Sequence, residues 1–331
     1  MNNQGFNMQI GKNYLSVIKG LAMASVLMTT TIAEAQTKLA VGTTASSSNQ
    51  YGYYVAVAQA LKEAGIDMQV VETGASLDNL RRLARNQIDL GLVTTNIASL
   101  SAQRDPSIPS PQHLETRMLW VYAELPQNVI VRADSGITSL SDLNGKKFNP
   151  GIRGSATEST AERVLETLNI KPDYVRGTTG DMVDAIKDNR IVGYVKGGVG
   201  NKVDGSTLDL ASFTPIRVLG LSDKQKQIIK TKIKDVGVMD IPAGAAEGVS
   251  PYSAWSIGYA TVVRPDFDEE TAYKIAKAVF EDTSYQAGVM PLIKEYDMRQ
   301  LTIDASTIPL HPGVIRYLVE KGYKIPQHLR P

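Results

Sequence analysis

The chain has no cysteine and only three histidines among its 331 residues. The first absence excludes disulfides, thiol nucleophiles and thiolate-held zinc or iron–sulfur centres. His113, His311 and His328 are scattered, none in a HExxH-type spacing, so neither a metal site nor a cofactor is expected. Charge of one sign is lacking too: 35 Lys and Arg stand against 34 Asp and Glu, without a basic or acidic run. Such a chain has no field with which to gather nucleic acid or anionic lipid. There is no G-x-S-x-G nucleophile elbow, no internal repeat and no low-complexity tail. Beyond the first 35 residues no apolar run approaches membrane-spanning length.

What is present starts with a leader. Lys12 and Lys19 precede the apolar-to-small run Gly20 to Ile32, and Ala33-Glu34-Ala35 follows before Gln36. This pattern fits a secretory signal peptide over residues 1–35, cleaved near Ala35-Gln36, with a periplasmic destination. Without Lys12, Lys19 and Glu34 the remaining 296 residues carry 33 basic and 33 acidic side chains. That length suffices for two domains, and an exported chain of this size buries enough core to dispense with disulfides.

The stretch from Thr37 to Val93 reads as β-α-β-α-β. Lys38 to Val41, Met68 to Glu72 and Asp89 to Val93 are the strands. The first helix, from about Tyr51 to Gly65, places Tyr51, Tyr54, Val55, Ala58 and Leu61 on one face. Ser47-x-x-Gln50 is a candidate capping box for it, and Ser76 a candidate cap for the next helix. A parallel sheet with helices on its faces follows from this alternation. The turns at the strand C-termini, Thr43 to Gln50, Thr73 to Ser76 and Thr94 to Asn96, are all polar. Ligands of open α/β sheets bind outside those strand ends, so the three turns are expected to face one cleft.

Met118 to Tyr122 reads as a strand broken by Leu125-Pro126-Gln127, with another beginning at Asn128; this is a first candidate crossing between domains. A second α/β unit follows. Its turn Gly151 to Glu158 carries Arg153 and the capping-box pattern Ser155-x-x-Glu158, and the strand Ile191 to Val195 ends in Lys196-Gly197-Gly198. Gly244 to Pro251 is a second candidate crossing, followed by a strand from Ser256 to Arg264. Trp120, Tyr122 and Trp255, near the crossings, are read as core.

Six segments in order carry a family resemblance: Ser46 to Gly52, Thr73 to Leu80, Ile88 to Thr95, Val131 to Ile137, Gly154 to Glu158 and Pro309 to Tyr317. They resemble the corresponding motifs of the TAXI-type solute-binding proteins of TRAP transporters, over essentially the whole chain after the leader. The resemblance implies an α/β type II periplasmic-binding-protein fold of two domains with the ligand in the cleft between them. Domain I is then residues 36–127 plus 251–331, and domain II residues 128–250. It further implies a monomeric, non-enzymatic protein that captures a small carboxylate (glutamate, 2-oxoglutarate or a similar dicarboxylate) by hinge closure. TRAP membrane subunits are its implied partner.

Candidate ligand-binding residues are Thr44, Ser46, Ser47, Asn49, Gln50 and Tyr51 from the opening turn, with Asn79 and Thr95 behind it. Arg153, Ser155, Ala156, Thr157, Lys196 and Gly197 would face them from the second unit. A helix N-terminus offers free N–H groups to an anion, and an arginine pairs with a carboxylate through two hydrogen bonds. The chain departs from the family pattern at Gln50, Gly52, the serines of the first loop, Arg153 and Lys196. These departures add donors and charge, which suits an acidic ligand without an amino group. Two other readings stay open: a periplasmic sensor or ligand-presenting protein of the same fold, and a periplasmic hydrolase.

Overall fold

The computed structural model describes Met1 and residues 37–108, 112–198, 200–233 and 235–331. The expected leader otherwise lies outside the described residues. Strand β1 (Thr37–Gly42) is followed by helix α1 (Asn49–Glu63), β2 (Ile66–Val71), α2 (Ser76–Ala84), β3 (Leu90–Thr94) and α3 (Thr95–Ala102). β1 lies between β2 and β3 and runs parallel to both, as the alternating pattern requires. Helix α1 begins at Asn49, two residues before the expected start, because Ser48 rather than Ser47 caps it by accepting from Tyr51 N. Ser76 is not a cap either. It is the first helical residue of α2, behind Ala75 in a positive-φ conformation (φ 67°).

β4 runs unbroken from Arg117 to Arg132, so the expected break at Pro126 is corrected. A proline removes one donor but keeps its acceptor, and Pro126 O accepts from Gly198 N at 2.7 Å. At Gln127 the strand exchanges neighbours. The chain continues through β5 (Lys147–Phe148), α4 (Ala156–Thr167), β6 (Asp173–Tyr174), α5 (Thr179–Lys187) and β7 (Gly193–Gly197). Then come α6 (Gly205–Phe213), β8 (Ile216–Leu219), α7 (Asp223–Lys232) and β9 (Gly237–Ile241), a strand that the sequence pattern did not reveal. β7 and β8 both pair with the Gln127 to Arg132 half of β4.

β10 (Tyr252–Val263) is antiparallel to β4 from Gln127 back to Arg117. Its first half also pairs with β9 and its second half with β3. The two long strands thus tie the early βαβ units to the middle of the chain. Helices α8 (Glu269–Glu281), α9 (Tyr285–Val289), α10 (Met298–Ala305) and α11 (Pro312–Glu320) return to the early units. Trp120, Tyr122 and Trp255 are core, as read from the sequence. Tyr53 stacks on Tyr122 with centroids 3.9 Å apart. Its hydroxyl accepts from Trp120 Nε1 (3.0 Å) and donates to Gln286 Oε1 (2.6 Å), so α1, β4 and α9 share one buried polar link.

His311 caps α11. Its Nδ1 accepts from Gly313 N (3.2 Å) and its Nε2–H donates to Phe267 O (2.9 Å). Both bonds together require the neutral ring. Burial, the largest cause, holds its pKa below the usual histidine value. The unfolded chain therefore binds a proton more readily than the native one, and stability falls as pH drops through the unfolded value of about 6.5. Urea midpoints measured at pH 7.5 and 5 should differ by less in His311→Asn than in the parent, since asparagine keeps a capping oxygen without titrating. An unchanged difference would refute this role.

Candidate functional site

The turns after β1, β2 and β3 are fastened together by one side chain. Asn79, fully buried on α2, donates through Nδ2 to Thr43 O and Leu92 O, each at 2.9 Å. The Thr73 hydroxyl lies 2.7 Å from Asn79 Oδ1 and 2.9 Å from Thr43 O. Ser76 Oγ adds a bond from Thr94 N at 3.2 Å. The polar ends of the parallel strands are therefore held at one level, where Thr44, Gln50, Ala75, Ser76, Leu92 and Thr94 line a cavity.

The opposite wall is the N-terminus of α4. Ser155 caps the helix by accepting from Glu158 N at 3.0 Å. Glu158 does not close the box on Ser155; its carboxylate reaches one residue further back and accepts from Gly154 N at 2.6 Å. The N–H groups of Ala156 and Thr157, in the first turn, have no protein acceptor among the described residues. Ile152, Ser155, Ala156 and Thr157 line the cavity from this side, and Val195, Lys196 and Gly197 close it from the end of β7. Its volume is ≈ 40 Å³. One water needs about 10–15 Å³ on the same measure, so the walls as they stand leave a narrow slot.

Among the described residues, Lys196 is the single charged side chain of that lining. It is 9% exposed, with Nζ 3.5 Å from Thr179 Oγ1 and 3.9 Å from Asp204 Oδ1. Both contacts are long for an ammonium donor, which leaves it donors to spare. Tyr259 projects from β10 into the same space. Burial pushes its phenol up to about 12, so at neutral pH it is an uncharged hydroxyl. Gln127 fixes two neighbours at once: its Nε2 donates to the Tyr259 hydroxyl (3.2 Å) and its Oε1 accepts from Thr157 Oγ1 (2.8 Å). Gly197 must stay small here, because a Cβ on it would stand 2.2 Å from the Tyr259 hydroxyl.

A second set of bonds joins the two walls beside the cavity. Asn49 N donates to Asp204 Oδ2 (3.0 Å) while Gly205 N donates to Asn49 Oδ1 (2.8 Å). Gln50 Nε2 donates to Gly198 O (3.2 Å), and Leu77 N to Gly154 O (3.0 Å).

Of the candidates drawn from the sequence, Thr44, Gln50, Ser155, Ala156, Thr157, Lys196 and Gly197 meet around the cavity. Asn49 sits on the bridge between the walls. Asn79 lies beneath the turns rather than among the lining residues. Thr95 packs its side chain on Gly258, and its carbonyl accepts from Thr307 Oγ1 (2.6 Å). Ser46 and Ser47 are exposed, and half-buried Tyr51 is outside the lining. Arg153 is also exposed outside it: its N–H is bound to Gly177 O (3.3 Å) and its carbonyl lies against Gly74, while the side chain goes to solvent. Sequence reasoning missed Tyr259 and the supporting Gln127. Alternation along β10 gives the face of Tyr259, but not the partner strand that aims it at the cavity.

The cavity combines one cation, two unclaimed helix N–H groups and several hydroxyls, a set that can receive a small anion. Among solved structures, the chain is similar to the periplasmic binding protein BugD: 12% identity over 88% of this chain and 98% of that one, with a TM-score of 0.54. It also matches the periplasmic aliphatic sulphonate binding protein SsuA from Escherichia coli (17% identity, 86% and 83% covered, TM-score 0.46). An ancestral arginine-binding protein matches at 19% identity, with 78% and 96% covered and a TM-score of 0.45. The likeness to BugD shows a shared fold, the two-domain α/β architecture of periplasmic binding proteins. With its family match running over residues 41–322, from the end of β1 to just past α11, the chain belongs to the NMT1-like family.

Proposed function

We propose that this protein is the extracytoplasmic solute-binding subunit of a TRAP-type transporter, capturing a small carboxylate in the Lys196 cavity and passing it to membrane subunits. The observation that carries this reading is the convergence of polar strand-end turns, the free N–H groups of Ala156 and Thr157, and buried Lys196 on one small space. A carboxylate brings one charge and two acceptor oxygens, which satisfy the ammonium and the helix terminus together. A buried cation is costly unless something pairs with it, and the contact of Lys196 with Asp204 is long at 3.9 Å, so a ligand carboxylate completes its pairing.

The two-domain division at residues 127–128 and 250–251 is part of the same reading. Strand β4 passes through the first division and β10 begins just after the second, and small dihedral changes there would open and close the cleft. The Asn49–Asp204–Gly205 and Gln50–Gly198 bonds are then contacts of the closed form. The leader-like N-terminus and the periplasmic location named for BugD and SsuA support export. The assignment to TRAP rather than another transporter class, and the monomeric state, rest on the six resembling segments. No chemical step is involved.

Calorimetry of the purified protein against glutamate, glutamine, 2-oxoglutarate, four-carbon dicarboxylates and the singly charged acids succinamate and 2-oxovalerate tests the ligand class. Heat of saturable binding with at least one carboxylate is expected, and its absence with every acid would refute the reading.

A further inference from the structure

We infer that the ligand carries a single negative charge and no ammonium group. This deepens the carboxylate reading and rests on it. Among the described residues Lys196 supplies the only formal charge in the cavity lining, and Asp204 already stands 3.9 Å from its Nζ. Asp204 is fully buried and its carboxylate is committed: it accepts from Asn49 N, Ser206 N (3.1 Å) and Ser206 Oγ (2.8 Å). The lysine and aspartate together are neutral.

A monoanion added to this pair leaves one net negative charge. That charge is met by the α4 N-terminus, the Ser76 and Tyr259 hydroxyls and the spare ammonium donors. A dianion would leave a second charge beside a neutral Lys196–Asp204 pair, with no further cation in the lining among the described residues, since Arg153 is exposed outside it. An α-ammonium would need a carboxylate of its own, and none lines the cavity.

Succinamate and succinate differ almost only in charge; 2-oxovalerate and 2-oxoglutarate differ by a methyl in place of a carboxylate, in size as well as charge. Asparagine is succinamate with an added ammonium. Titration calorimetry of the full chain should find the singly charged member at least tenfold tighter in the pair that fits, and asparagine weaker than succinamate. Lys196→Gln should abolish that binding while the melting temperature confirms folding. Asp204→Asn, which retains a capping oxygen, should move the ratio within the pair toward the dianion by releasing the full lysine charge. A dicarboxylate or amino acid that binds as tightly as its singly charged counterpart, or a ratio unmoved by Asp204→Asn in a folded variant, overturns the inference and leaves the carboxylate reading standing. Binding of no acid at all overturns both.

Discussion

Replacing Asn79 by alanine is expected to lower the unfolding free energy by about 3 kcal/mol, since it removes the donor to buried Leu92 O and leaves Thr43 O with the Thr73 hydroxyl alone. Leu92 O and Thr43 O both lose their Asn79 donor, and the Thr73 hydroxyl loses one of its two acceptors. The site is fully buried, so water cannot replace them without opening the turn. Asn79→Asp should be at least as damaging despite its shape, because a carboxylate oxygen would face two carbonyl oxygens where an amide now donates. A urea titration would show a lower midpoint with an unchanged slope for both variants. The same changes should weaken ligand capture, because Thr44, Ser76 and Thr94 line the cavity from the three turns that Asn79 holds. A stability change within about 0.5 kcal/mol, the range of ordinary surface substitutions, would contradict this role.

The second large effect is expected at Gly193. This residue opens β7 against β4, and a Cβ there would stand 2.0 Å from Ile130 O and 2.8 Å from Val131 Cα. Both obstacles are backbone atoms of a central strand, so no side-chain rotation relieves them. Gly193→Ala must spread the pairing of β4 and β7, at a cost of about 3 kcal/mol or more. Lys196 and Gly197 end the same strand, and the shift carries them out of position. Any protein that does fold should therefore bind ligand more weakly than the loss of stability alone explains. A variant with parental urea midpoint and parental affinity would show that the close approach is not rigid.

Much of the early half was legible because local signals and tertiary outcome agree. Apolar strands and polar turns determine parallel pairing by the rule of right-handed crossovers, whereas the expected face of α1 is corrected: Val55 is exposed, and Tyr53, Val57 and Ala60 are buried beside Tyr54 and Leu61. The Ser155 turn was equally legible, since a cap acts within four residues. The unbroken β4 was not: Pro126 signals a break locally, and only the distant donor Gly198 and the antiparallel neighbour β10 keep the strand straight.

The site residues divide along the same line. Lys196 and Thr157 sit at element ends whose direction the pattern fixes. Arg153 has the right chemistry in the right turn, but its orientation depends on its backbone bond to Gly177, 24 positions away. Tyr259 and Gln127 reach the cavity through strand register, and register is set by pairing that no single segment encodes. The resemblance offers Asn79 as a ligand contact; in the structure it lies under three turns, where it donates to Thr43 O and Leu92 O.

The central claim is that a small acid is held between the α4 N-terminus and Lys196. Native mass spectrometry of the purified full chain and of Lys196→Gln, after incubation with the succinamate and 2-oxovalerate pairs, tests it most directly. The account predicts a one-to-one adduct of a singly charged acid on the parent protein and none on the folded variant. An adduct retained by Lys196→Gln, or the absence of any acid adduct on the parent, would contradict it.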